Sequence, residues 1–335
     1  MNKVANLVSA IIAGMIFLSS CHDKGTDNPY DNILQNGPFK GLTDSIRLEP
    51  GNHDLYFRRA VLLNSNNFPE PALLDFQKAW SLKKEEKYAL GVSTLLLEKK
   101  PDSAILFLNE ANKLLPGSQL LRLTLARAYD SKGNIDGALG ICNEVLQKNP
   151  NQVDVMKMKA DLLLKKGDSN GAIHTLEQAY QLTPYDPGLN HQLALQLAEA
   201  KNPKVVTLCD SLIRADSLGQ HAEPYYYKGI YYANINDKEK ALGLFDEAIR
   251  RDYTFLESYT EKGSLLYDQK KYNEAIKVFN LSLNISPDYA DNYYWIAKCQ
   301  EAMGNKSEAK LNYLRAWELD KSFTEAKQAA EKITN

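Results

Sequence analysis

An all-α solenoid of helix-turn-helix repeats is predicted by three observations: a recurrence every thirty-four residues, small side chains at the same places in each recurrence, and prolines that end several of the units. The clearest unit runs from Asp154 to Pro184. Its second half, from Gly171 to Pro184, is an amphipathic helix stopped by proline. Ala160, Ala172 and Ala179 sit where two helices must approach closely. Thirty-four residues earlier the frame reads Ala126, Ala138, Cys142, Val145 and Pro150, and another thirty-four back it reads Ala104, Leu108, Ala111 and Pro116. Each hairpin leaves an apolar face that only its neighbours can cover.

The bulk numbers narrow the function. The chain has 335 residues, 24% charged and 44% hydrophobic, with a formal charge of −2. Length alone suggests two globular domains, but a repeat array grows along one axis instead of around one core. No basic excess is present to neutralise phosphates, which argues against a nucleic-acid partner. The pairs Lys83-Lys84, Lys99-Lys100 and Lys165-Lys166 fall at helix ends, where cations suit the carbonyl end of the dipole.

The first residues read as a targeting segment. After Lys3, an apolar run from Val4 to Leu18 is interrupted only by Asn6 and Ser9. It is shorter than the roughly 20 residues a membrane span needs and fits a signal-peptide core. The run ends in Leu18-Ser19-Ser20-Cys21, which resembles the lipobox of bacterial lipoproteins. That resemblance implies a signal peptide over 1–20, cleavage before Cys21, and acyl chains such as palmitate on the cysteine. Such chains contribute about 0.8 kcal/mol per buried CH₂ to anchoring. His22 follows the cysteine where an inner-membrane retention signal would place Asp, so an outer-membrane location is expected, on either its periplasmic or its surface face. Residues 21–41, rich in Gly, Asn, Asp and Pro, read as a lipidated cysteine and flexible tether reaching about 25 Å.

The repeats follow in order. Units are expected near 53–84, 85–118, 119–152, 153–186, 187–221, 222–255, 256–289 and 290–323, with Leu42 to Leu48 as a leading cap and 324–333 as a terminal one. The first holds Tyr56, Ala60, Ala72, Phe76 and Ala79, and ends early. The fifth departs most: its turn at Asn202-Pro203-Lys204 is one residue short, Val205 replaces alanine, and Ser217 to His221 makes a longer exit. A kink or hinge is therefore expected between Asp216 and Glu223. The sixth, seventh and eighth carry Tyr225, Gly229, Ala241, Phe245 and Ala248; Tyr259, Gly263, Ala275, Phe279 and Pro287; and Tyr293, Ala297, Ala309, Tyr313 and Ala316. Small residues at the eighth, twentieth and twenty-seventh places admit close helix approach, and large ones at the fourth, eleventh and twenty-fourth fill the grooves. This pattern resembles the tetratricopeptide repeat (TPR). The resemblance covers about residues 42–333 and implies a right-handed TPR solenoid of about eight repeats with terminal capping helices. Cys142, Cys209 and Cys299 fall far apart at core places and read as apolar fillers, with no disulfide or metal site.

No catalytic, cofactor or metal-binding constellation emerges. A His-Glu-x-x-His motif, a phosphate loop after a strand and a nucleophile elbow are all missing, and the five histidines (His22, His53, His174, His191, His221) form no i, i+4 ligand pair. The TPR resemblance implies instead a concave face lined by first-helix positions, which takes a protein or peptide partner. Here those positions hold Phe57, Arg127, Asp130, Lys157, Asp161, His191, Tyr226, Ile230, Ser264, Tyr267, Tyr294 and Lys298. The Lys and Asn set with which some TPR domains clamp a C-terminal carboxylate is absent. Tyr225, Tyr232 and Tyr293 are expected in the core, whereas Tyr226, Tyr267 and Tyr294 are expected to be dispensable for packing and open to a ligand.

The expectation is a non-enzymatic envelope adaptor, of the build found in secretion, motility, pilus assembly or cell-wall hydrolase control. The alternative is a glycan-binding lipoprotein that stacks sugars on the C-terminal aromatics. Asp-Ser-aliphatic or Asp-Ser-Ala triplets also resemble O-glycosylation acceptors of some Gram-negative envelopes, which would place glycan on Ser45 and Ser103 in loops or at helix starts, although Asp and Ser are good helix caps in their own right. An intact mass above that of the lipidated polypeptide is the expected outcome if those serines carry sugar, and a mass equal to it removes the idea.

Overall fold

The computed structural model describes residues 29–333, and the expected signal peptide and Cys21 lie outside them. Among the described residues the fold is all-α, without strands. It divides into two compact units at the Pro116–Gly117 junction.

The first unit opens with α1 (Asp31–Leu34), a 3₁₀ turn at Gly37–Phe39 and α2 (Lys40–Leu48). Two hairpins follow: α3 (His53–Ser65) with α4 (Pro69–Leu82), and α5 (Glu86–Lys99) with α6 (Pro101–Leu114). The part of the expected tether that is described, from Pro29 to Gly41, is therefore folded. Leu34 and Phe39 are each 5% exposed and join the core of the first hairpin, with Phe39 edge-on to Phe68 at 5.7 Å. Composition misled here because Gly, Asn and Pro surround a few apolar side chains whose burial depends on distant partners. The buried Thr43 hydroxyl lies 2.8 Å from the Leu34 carbonyl and 3.0 Å from that of Phe39, and accepts from Arg59 at 3.0 Å. Arg59 in turn grips Asp75 with two bonds of 2.6 and 2.8 Å. Burial pushes the Asp75 carboxyl up, against the opposing pull of Arg59.

The second unit contains six hairpins: α7 (Gln119–Ser131) with α8 (Ile135–Lys148), α9 (Val153–Lys165) with α10 (Ser169–Leu182), α11 (Pro187–Glu199) with α12 (Lys204–Ala215), α13 (Glu223–Asn234) with α14 (Lys238–Arg251), α15 (Leu256–Asp268) with α16 (Tyr272–Ile285), and α17 (Ala290–Ala302) with α18 (Lys306–Leu319). The terminal cap α19 (Thr324–Lys332) buries Ala326 and Ala330 and leaves its charged side chains outside. Helix starts are capped by short polar side chains, among them Ser118 to Leu121 N, Asn134 to Gly137 N, Asp168 to Gly171 N and Asp186 to Leu189 N, all within 3.0 Å. All six hairpin turns of this unit carry one left-handed residue, at Gly133, Gly167, Lys201, Asn236, Lys270 and Gly304. The expected hinge between Asp216 and Glu223 falls on a fastened loop. Asp216 accepts from Gly219 N at 2.9 Å and His221 N at 2.8 Å, and Arg251 donates to the Gly219 carbonyl at 2.8 Å.

Packing inside the hairpins follows a trade of volume. The small residues expected at close approaches (Ala60, Ala72, Ala126, Ala160, Ala172, Ala194, Ala297 and their counterparts) are wholly buried. In the sixth and seventh repeats, where the facing residue is a phenylalanine, alanine gives way to glycine: a methyl at Gly229 would lie 2.5 Å from the Phe245 ring, and one at Gly263 would overlap Phe279. Cys142 and Cys209 occupy the phenylalanine's place opposite alanine. All three described cysteines are buried free thiols, and burial pushes Cys209 up to about 12.

Gly263→Ala tests this trade. It gains about 1 kcal/mol of helix propensity yet should destabilise the protein by about 1–3 kcal/mol through overpacking. Adding Phe279→Leu should recover part of that loss, so urea midpoints of the two single variants and the double variant should be non-additive.

Candidate partner-binding face

The first helices of consecutive hairpins lie beside one another, and most of the side chains expected on their open face reach across to the neighbour. Lys165 donates to Asp130 at 2.7 Å, and Lys157 pairs with Asp186 at 3.4 Å. Asp186 is held below the usual carboxylate range, first by the Leu189 amide and then by Lys157. Gln192 donates to Asp161, and the Tyr227 hydroxyl meets His191 Nδ1. Arg127 stands exposed. The face is thus a ladder of polar contacts between repeats, and Lys157 and His191 are rungs in it.

The tyrosines depart from expectation. Tyr226 packs against Phe255 at 5.2 Å and Tyr227 at 5.6 Å, and burial drives its phenol well above the ordinary value. Tyr267 meets Tyr272 at 5.4 Å and Trp295 at 5.6 Å, while Tyr294 meets Phe323 at 4.8 Å and Tyr313 at 5.5 Å. All three are half-buried: Tyr267 bridges to the next repeat, while Tyr226 and Tyr294 pack against the far end of their own, so packing does need them. Lys298 lies over Trp295 at 4.0 Å and Tyr267 at 5.0 Å, and covers part of this aromatic surface. The core assignment of Tyr225 and Tyr232 is likewise corrected. The buried pair is Tyr227 and Tyr231, one helical turn apart and packed in the cluster of α11 and α12, while Tyr225 and Tyr232 lie partly open under Arg251 and Lys240. Tyr293 is buried as expected.

One feature of the face escaped sequence reasoning. A polar cleft of about 290 Å³ opens between α13 and α15, lined by Asn234, Asn236, Lys238, Glu261, Ser264 and Asp268 among others. Glu261, Ser264 and Asp268 share one side of α15 through their i, i+3, i+7 spacing. Burial alone raises the Glu261 carboxyl above its ordinary value, and no side-chain hydrogen bond or ion pair offsets it among the described residues. A signal for it existed: the same place in the two adjacent repeats holds Tyr227 and Trp295, large side chains at the seam between helices.

Of the serines, Ser103 is exposed in the first turn of α6, whereas Ser45 lies inside α2 with its hydroxyl on the Gly41 carbonyl at 3.0 Å, not in a loop or at a helix start. Among the described residues no three His, Cys, Asp or Glu side chains gather as a metal would require.

Comparison with known proteins agrees with the repeat. Residues 95–162, 154–186 and 290–323 match tetratricopeptide repeat models, and 263–304 match a TPR repeat model. Over those stretches the chain thus carries tetratricopeptide repeats. It is similar to the mouse anaphase-promoting complex subunit 7, 28% identical over 48% of this chain and 28% of that protein. It is also similar to the Hsp70-Hsp90 organizing protein of Triticum aestivum, 24% identical over 59% of this chain and 29% of the other. The chain thus spans less than a third of either relative. A tetratricopeptide repeat protein from Parabacteroides merdae shares the fold, with a TM-score of 0.58 and 16% identity over 74% of this chain and 98% of the other.

Glu261 supplies a pH test. Its raised pKa means the folded protein holds this proton more tightly than the unfolded chain, so its ionisation removes stability as pH rises from about 4.5. Glu261→Gln should raise the melting temperature by about 2–4 °C at pH 7.5 and change it little at pH 4, as read by thermal melts at both values.

Proposed function

We propose that this chain is a non-enzymatic protein-interaction scaffold, anchored through lipid on Cys21 to the outer membrane of a Gram-negative envelope, where it serves an assembly process such as secretion, motility, pilus assembly or cell-wall hydrolase control. The anchoring rests on the apolar run that ends in Leu18-Ser19-Ser20-Cys21. The scaffold reading rests on the repeat, and is supported by two TPR relatives whose names describe a complex subunit and an organizing protein. The observation that carries it is the polar cleft between α13 and α15. Glu261 makes no ion pair there, although Lys238 shares the lining, and a basic side chain from a protein partner would restore by pairing what Glu261 loses by burial. Lys298 and the exposed Arg127 extend the same face with positive charge. The glycan alternative loses ground because Tyr267 and Tyr294 each meet Trp295 edge-on and Lys298 lies over the Trp295 ring.

Two measurements test the parts separately. Cys21→Ser should move the protein from the membrane to the soluble fraction and abolish labelling by an alkyne analogue of palmitate, and unchanged fractionation rejects the anchor. In-cell crosslinking with Glu261→Lys, at unchanged helical circular dichroism, should lose envelope proteins captured by the wild type. Capture of the same proteins by both moves the partner off this cleft.

A further inference from the structure

The side chains that line the polar cleft between α13 and α15 leave their acceptors open. Ser264 spends its hydroxyl proton on the Glu261 carbonyl at 3.1 Å, and Asn234 Nδ2 donates to the Ala198 carbonyl at 3.2 Å. Asn234 Oδ1 and the carboxyl groups of Glu261 and Asp268 accept no hydrogen bond among the described residues. Glu261 is half-buried, whereas Asn234, Asn236 and Asp268 are exposed. Where the sixth and eighth repeats put the rings of Tyr227 and Trp295, the seventh puts this shorter side chain beside an opening of about 290 Å³.

The negative charge of α15 reaches beyond the cleft. Glu257 stands one turn before Glu261 and is exposed. Burial first, and then the charges of Glu261 and Glu257, push the Tyr226 phenol up. Burial also pushes up Tyr289, where Thr260 opposes the shift and Asp291, Glu257 and Glu261 add to it. Two carboxylates of one helix thus bear on a phenol from α13 and on another from the loop before α17.

One cation is already at hand and does not fill the site. Lys238 belongs to the lining and is half-buried, yet its ammonium makes no ion pair with Glu261 or Asp268, and burial is the sole influence on the Glu261 carboxyl. An ammonium is a compact, strongly hydrated point charge with three donors. A guanidinium is planar and more weakly hydrated, and its five donors form a fixed fork. Such a fork can take both oxygens of one carboxylate in parallel bonds and still offer N–H groups to other acceptors. Its weaker hydration lowers the cost of leaving water for a half-buried acid.

We propose that this cleft is a socket for an arginine side chain of a partner protein: the guanidinium pairs with both carboxylate oxygens of Glu261 and leaves N–H groups for Asn234 Oδ1 and Asp268. The inference rests on the reading of the cleft as a partner site for a basic side chain, and adds to it the choice of arginine over lysine. Lys238 repels either cation alike, so the discrimination lies with the fork and its hydration. Glu257 extends the negative field along α15 and draws the cation towards the opening.

The test is an NMR titration of the full chain with N-acetyl-argininamide and N-acetyl-lysinamide, read at the backbone amide signals of Asn234, Ser264 and Asp268. The arginine amide should shift all three and bind about tenfold more tightly than the lysine amide, the difference one charge-assisted hydrogen bond makes. Glu261→Gln keeps the size and removes the charge, and should abolish the shifts while its thermal melt shows a folded protein. Equal affinity for the two amides, both lost in Glu261→Gln, would overturn the choice of arginine and leave the basic-side-chain reading standing. Shifts that persist in Glu261→Gln would overturn both, because binding would not pass through this carboxylate. No shift with the arginine amide at any of the three signals would overturn the socket and leave the wider reading to the crosslinking of Glu261→Lys.

Discussion

The distance at which two helices of a hairpin can pack is the constraint on which the rest of this protein depends. It is set by pairs of side chains whose volumes compensate: Ala126 faces Cys142, Ala160 faces Leu176, and Gly229 and Gly263 face Phe245 and Phe279. Protein interiors are too dense for both members of a pair to grow. Phe76 shows the same limit from the other direction. Its own hairpin offers Ala60, and its ring meets Gly91 of the next repeat, where an added methyl would lie 2.5 Å away. Helix spacing, seam geometry and clefts all follow from these choices.

In the first unit the helical spacing is joined by a buried polar clasp. Arg59 is bound on one side by Asp75 and on the other by Thr43, and Thr43 faces the carbonyls of the segment that precedes it. A buried ion pair adds little net stability compared with an apolar replacement, but breaking one partner leaves a buried charge uncompensated. The clasp therefore acts as a register device. It fastens α2 and the turn before it to α3 and α4, and draws Leu34 and Phe39 into the core.

Two positions of the second unit depart from the commonest residue at their place in the repeat. At Glu261 a seam position that the sixth and eighth repeats fill with the rings of Tyr227 and Trp295 holds a carboxyl group that makes no ion pair. At Asn190 a position that five other repeats fill with tyrosine, and two with Arg122 and Met156, keeps the backbone hydrogen bond, to the Pro184 carbonyl, and omits the ring. In a repeat array such departures stand out because the neighbouring repeats supply the reference, and a group left unsatisfied in one copy is a binding determinant more readily than one left unsatisfied in all.

The sequence by itself determined the all-helical class and the repeated pairing of helices into hairpins, because these are local. The period, the caps at Ser118, Asn134, Asp168 and Asp186, and the small residues at close approaches all act within one or two turns of chain. The candidate face was legible only as a set of positions. Which of its members were open was not, since Tyr226, Tyr267 and Tyr294 are half-buried by Phe255, Trp295 and Phe323, residues that lie 28 or 29 positions further along the chain. Tertiary structure alone decided that residues after Pro29 fold onto the first hairpin and that Glu261 is desolvated. Burial depends on what the adjacent repeat presents across the seam, and no single stretch of chain encodes both sides of it.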